Sequence, residues 1–108
     1  MKLLALSPND RHPYLLKLFF TFQTPLHLYM CTEFCDNGDL SMHLDNLQFL
    51  DESLAKFLTA ELILGMEHLH NRSILYRDLK PENILIDADG HLRLADFGLA
   101  KLSSDPDL

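Results

Sequence analysis

Positive charge is scarce in this chain. Nine Lys and Arg face sixteen Asp and Glu, a formal net charge of −7, which argues against nucleic acid or an anionic membrane surface as a direct partner. Cysteine is scarcer still. Cys31 and Cys35, spaced C-x3-C, have no second pair to complete a zinc site or a disulfide framework. They read as free thiols, which suits a reducing compartment and so a cytoplasmic protein. No run approaches the ~18 consecutive apolar residues needed to span a bilayer, so direct membrane insertion is not expected. The apolar start Met1–Leu6 is cut off at once by Ser7-Pro8-Asn9-Asp10-Arg11, which does not fit a signal peptide. Metal-ligand spacing is missing from the histidines. His12, His27, His43 and His91 stand apart, and His68 and His70, two residues apart on a helix, point in different directions. Internal repeats and low-complexity tracts are absent.

What is present suits one small globular domain of 108 residues, 47% of them hydrophobic. His12-Pro13 leads into Tyr14–Phe22, which reads as a strand, and after the turn Gln23-Thr24-Pro25 a second strand over Leu26–Phe34 should run antiparallel to it. Asp36-Asn37-Gly38-Asp39 signals a turn, with Asp39 able to cap a short helix through His43 or Asp45. The spacing of Leu54, Phe57, Leu58, Leu62, Met66 and Leu69 predicts a long helix over Asp51–Asn71 with a broad buried face. Leu50, Ala55, Ile63 and Leu64 widen that face, while Glu52, Glu61 and Glu67 read as its solvated side. Beyond it, Ile84–Ile86 and His91–Ala95 read as short strands around the tight turn Asp87-Ala88-Asp89-Gly90. Met1–Leu6 reads as the end of an earlier helix, and the fold class is α+β.

The chemistry concentrates between residues 74 and 98. Ile74-Leu75-Tyr76-Arg77-Asp78-Leu79-Lys80-Pro81-Glu82-Asn83 is followed by Asp96-Phe97-Gly98. Together they match the catalytic loop H-R-D-L-x-x-x-N and the metal-binding D-F-G signature of protein kinases. Phosphoryl transfer asks mainly for positioning and charge stabilisation. The resemblance implies that Asp78 accepts the proton of the substrate hydroxyl and that Lys80 offsets charge on the transferring phosphate. Asn83 and Asp96 supply the oxygen ligands that Mg²⁺ prefers. Lysine at position 80 is similar to the serine/threonine enzymes.

The resemblance extends over nearly the whole chain and looks most like the AGC group of serine/threonine kinases. Arg11-His12-Pro13-Tyr14-Leu15, Thr21-Phe22-Gln23-Thr24, Asn37-Gly38-Asp39-Leu40 and Leu75-Tyr76-Arg77-Asp78 are similar to protein kinase C-type enzymes, whereas Pro81-Glu82 is closer to protein kinase A. It implies a partial two-lobe kinase fold: two small-lobe strands, a hinge, the long large-lobe helix, the catalytic loop and short β pairs through D-F-G. The implied division is 1–32 small lobe, 33–38 hinge and 39–108 start of the large lobe. Thr32 then sits at the back of the adenine pocket, and Glu33, Phe34 and Cys35 form the hinge. Asp39 lies near the ribose, and Leu85 lies beneath the adenine ring. Leu4, Leu18, Tyr76 and Phe97 would stack as a hydrophobic column joining the lobes, and Arg77 would anchor an activation loop, or else face the surface or pair with a carboxylate. ATP and Mg²⁺ are the implied cofactors, and a protein bearing Ser or Thr the implied partner.

The family's glycine-rich loop, its V-A-I-K lysine and its A-P-E motif do not occur in the chain. Turnover by these 108 residues alone is therefore not expected, and the sequence reads as a piece of a longer serine/threonine kinase. Two alternatives stay open, a catalytically silent kinase-derived binding module or scaffold and a product that does not fold stably. For the piece, an exposed edge on the second strand and an apolar patch on the long helix are expected.

Overall fold

The computed structural model describes residues 11–95 and the backbone of Lys101–Leu102. The expected helix end at Met1–Leu6, column residues Leu4 and Phe97, and Asp96 lie outside the described residues. The architecture is α+β: strands β1 (Leu18–Gln23) and β2 (Leu28–Thr32), helices α1 (Leu40–Leu47) and α2 (Glu52–His70), then strands β3 (Ile74–Leu75), β4 (Ile84–Ile86), β5 (Leu92–Leu94) and β6 (Lys101–Leu102). They form three antiparallel pairs, β1 with β2, β3 with β6 and β4 with β5.

The first strand starts later than its apolar pattern suggests. Residues 14–16 leave the hairpin and bond to β5 instead, with Leu94 N–H donating to Tyr14 O at 2.9 Å and Leu16 N–H to Leu94 O at 2.9 Å. Leu15 thereby reaches the core, at 4% exposure. The hairpin beyond it is open to solvent on both faces, and Phe22 stacks on its cross-strand partner Tyr29 with ring centroids 4.7 Å apart. A bare two-stranded ribbon is marginal in water, and among the described residues this hairpin pairs with no third strand.

Both helices begin at aspartate caps. Asp39 accepts from Met42 N–H at 3.0 Å and Asp51 from Leu54 N–H at 2.8 Å, each satisfying a donor of the first turn. The first helix runs on to Leu47 and ends where Gln48, at φ 66°, donates to Leu44 O at 2.7 Å. The second ends at Asn71, whose N–H reaches Glu67 O at 2.9 Å. These bounds match the expected helix.

Its faces do not. Leu58, Glu61, Gly65 and Leu69 are the buried residues of α2, whereas Leu54, Phe57, Ile63 and Leu64 of the expected buried face are exposed and make up the apolar patch expected on this helix. Glu61, expected on the solvated side, is 4% exposed. Its position three after Leu58 and four before Gly65 puts it in the buried stripe, and its carboxylate is stabilised there by directed donors. Leu92 N–H donates to Oε1 at 2.9 Å, and the His91 Nδ1 lies 2.6 Å from Oε2. Burial and the Glu61 carboxylate, which shares a hydrogen bond with it, raise the Tyr14 phenol. Gly65 lets the Tyr14 backbone pass close to the helix: a Cβ there would sit 3.4 Å from Tyr14 O. Around this junction Leu15, Leu58, Leu69, Ile74, Tyr76, Ile84, Ile86, Leu92 and Leu94 form the core. No described helix is long and apolar enough to cross a membrane.

Candidate active site

The short strand β3 delivers Tyr76 into the core at 1% exposure, where its hydroxyl donates to Ala95 O. Arg77 follows at φ 68°, a left-handed conformation that is costly for a residue with a side chain. The chain is thus bent between buried Tyr76 and half-buried Asp78. Pro81 opens the 3-10 turn Pro81–Asn83, closed by Asn83 N–H to Lys80 O at 3.0 Å.

This turn folds Asn83 back onto Asp78. The Asn83 Nδ2 group donates to Asp78 O at 3.0 Å and to Asp78 Oδ2 at 3.1 Å, with Asn83 only 6% exposed. The amide nitrogen is engaged with Asp78, so the amide oxygen is the end of Asn83 suited to ligate a cation. The Lys80 Nζ stands 3.7 Å from the same Asp78 Oδ2 on the solvent side. Ala95 N–H donates to Asn83 O at 2.8 Å, which ties the residue preceding Asp96 to the cluster. Asp78, Lys80 and Asn83 are therefore brought together. Hard oxygen donors of this kind suit Mg²⁺ rather than a soft metal. Among the described residues no group of three His, Cys, Asp or Glu could hold a metal ion.

A second group lies along the segment from β2 to α1. Exposed Thr32 donates through Oγ1 to Glu33 O at 3.1 Å. Glu33 is fixed twice to Lys17, its N–H donating to Lys17 O at 3.0 Å and its Oε1 accepting from Lys17 N–H at 2.8 Å. Phe34 is 85% exposed, while Cys35 is buried and burial pushes its thiol up. Gly38, at φ 70°, supplies the left-handed turn before α1. Asp39 spends its carboxylate on the helix cap, where the Ser41 hydroxyl first and the Met42 N–H second hold its carboxyl below the usual range. It also pairs with Leu85 in an isolated antiparallel bridge.

The two groups meet on β4. Asn83 immediately precedes this strand and Leu85 is its middle residue. Ile86 N–H donates to Gly38 O at 2.8 Å, and Asn37 N–H to Ile86 O at 3.2 Å. One residue that sequence reasoning did not single out completes this connection. Arg93 pairs with Glu33 at 3.2 Å and with Asp87 at 3.3 Å. A charged residue between Leu92 and Leu94 is legible as the outward position of a strand, but nothing in the sequence names its partners. Of the expected column, Leu18 is half-buried and Tyr76 buried.

The family model "Protein kinase domain" matches residues 3–107. Similar proteins include a Candida albicans serine/threonine-protein kinase SCH9, 52% identical over 95 residues, which are 88% of this chain and 12% of that protein. A Drosophila melanogaster putative protein kinase C delta type homolog is 48% identical over 101 residues, 94% of this chain and 15% of that protein. The human ribosomal protein S6 kinase alpha-1 is 49% identical over 94 residues, 87% of this chain and 13% of that protein. The chain thus spans about an eighth of the length of these relatives.

Proposed function

The chain belongs to the protein kinase family, and we propose that it carries the catalytic loop and hinge of a cytoplasmic serine/threonine kinase of the AGC group. The observation that carries this reading is the double hydrogen bond from the Asn83 amide to Asp78, with Lys80 beside the same carboxylate. In the reading, Asp78 accepts the proton of a Ser or Thr hydroxyl as its oxygen attacks the γ-phosphorus of ATP and ADP departs. Asn83 holds Asp78 in orientation, and Lys80 compensates charge on the phosphoryl oxygens. Asn83, through its amide oxygen, and Asp96 are the residues that would hold Mg²⁺. That ion supplies charge neutralisation at the phosphates when bound.

The hinge would be 33–38, between small-lobe residues 1–32 and large-lobe residues 39–108. Backbone groups of Glu33 and Cys35 would meet the adenine, with Thr32 behind it, Leu85 beneath it and Asp39 toward the ribose. The cap contacts from Ser41 and Met42 both fall on Asp39 Oδ1, so a ribose contact would use Oδ2. The partner is a protein with Ser or Thr, and no nucleic acid is expected. As a test, the full-length protein carrying these residues is incubated with Mg²⁺ and γ-labelled ATP, offered Ser/Thr or Tyr peptides. Label on the Ser/Thr peptides, abolished by chelator, is the expected result. Transfer confined to Tyr, or no nucleotide binding at all, would overturn the reading.

A further inference from the structure

We propose that Arg93 is a positioning residue for the nucleotide: through Glu33 it fixes the hinge on the β4–β5 hairpin in the register that meets adenine. The inference rests on the kinase reading above and adds to it a residue outside the motifs.

Arg93 lies in β5 between Leu92 and Leu94, which are 1% and 0% exposed, so its backbone cannot shift without moving the core. Its guanidinium spans two carboxylates. Nη1 meets Glu33 Oε1 at 3.2 Å, and Nε meets Asp87 Oδ2 at 3.3 Å. Asp87 is itself immobilised. Its Oδ1 accepts from Asp89 N–H at 3.0 Å and from His91 N–H at 2.9 Å, and its carbonyl accepts from Asn37 Nδ2 at 2.8 Å. Burial works against the Asp87 carboxylate, but those N–H donors and the Arg93 guanidinium outweigh it and hold its carboxyl below the usual range. Asp87 thus fixes the guanidinium from the turn side, and Arg93 presents its other face to Glu33.

Glu33 transmits the constraint to the main chain. Its Oε1 is shared between Arg93 and Lys17 N–H, so the carboxylate joins β5, the entry to β1 and the segment 33–35 at one point. The far end of the segment is sewn to β4 through Asn37, Gly38 and Ile86. Anchors at both ends leave Phe34 and Cys35 spanning between them. Without Arg93, two carboxylates that share one cation would face each other, and repulsion would displace the Glu33 end. The three side chains are 17–24% exposed, so water screens the effect in part. A geometric fork also matters, because a lysine offers one point charge and cannot hold both carboxylates in fixed directions.

The test compares R93Q, R93K, E33Q and R93Q/E33Q in the full-length protein, measuring Mg·ATP dissociation constants and the KM of a Ser/Thr peptide. R93Q is expected to weaken ATP about fivefold, the scale of a partly exposed pair, with the peptide KM held within about twofold. R93K should recover part of the loss. E33Q, which keeps an acceptor but loses the charge, should weaken ATP less than R93Q, and the double variant should be no worse than R93Q, since both act through one contact. An ATP affinity in R93Q equal to the parent's, equal losses for ATP and peptide, or losses that multiply in the double variant would each overturn the inference. If R93Q fails to fold, E33Q decides, and unchanged ATP affinity there overturns it. Parent protein that binds no nucleotide would instead overturn the kinase reading and this inference with it.

Discussion

Replacing Glu61 with alanine removes the acceptor at the centre of the junction between α2, β5 and Tyr14. Leu92 N–H, in a residue 1% exposed, then loses its partner at 2.9 Å in a place water cannot easily enter. A buried donor left unsatisfied costs ~1–3 kcal/mol, so Glu61→Ala should destabilise by about that amount. Glu61→Gln keeps an acceptor for Leu92 N–H and should cost less than the alanine change. The two variants separate further by pH. The hydrogen bond that Glu61 accepts from His91 first, and the Glu61 charge second, raise His91 above 6.5. A group raised on folding contributes stability that is complete below its unfolded value and lost as pH rises through its folded value. Parent protein should therefore lose some stability as pH rises above about 6.5, and Glu61→Gln should flatten that dependence. Urea unfolding from pH 5 to 9 measures both effects. Glu61→Ala within about 0.5 kcal/mol of the parent, or an unchanged pH slope in Glu61→Gln, would refute the reasoning.

Two further outcomes test the packing. Leu69, fully buried in α2, should cost about 2–5 kcal/mol when cut to alanine, read as a drop in urea midpoint with an unchanged slope. Gly65→Ala meets Tyr14 O at ordinary contact, 3.4 Å, and gains helix propensity, so it should be neutral or raise Tm. Gly65→Val at the same site should lower it, because the added methyls crowd Tyr14 O and the side chains of Tyr14 and Leu15.

Local signals were legible where local physics decides. The aspartate caps at Asp39 and Asp51 mark both helix starts, and Asp87 with Gly90 marks the last hairpin. The segment 74–83 stands out through its resemblance to a kinase motif, and its compact form is local, since Asn83 bonds to Asp78 five positions away. Tertiary choices were not. Tyr14–Leu16 carry a strand pattern, yet their hydrogen bonds go to Leu94, and only the fold shows that β5 lies alongside. Glu61 looked solvated by residue type, whereas its burial depends on donors thirty positions away in β5. Ile63 and Leu64 look like core by type but face outward, since the stripe that meets β3 and β5 runs through Leu58, Gly65 and Leu69. Arg93 is hidden for the same reason, its partners Glu33 and Asp87 lying on the segment after β2 and in the turn between β4 and β5.

The most direct test of the central claim is phosphoryl transfer by Asp78→Asn in the full-length protein. An asparagine oxygen can still accept from the Asn83 amide, so the loop geometry is retained while the proton acceptor is removed. Transfer to a Ser/Thr peptide should fall about 10²- to 10⁴-fold, with Mg·ATP affinity near that of the parent. Transfer within about tenfold of the parent would contradict the assignment of Asp78 as the proton acceptor.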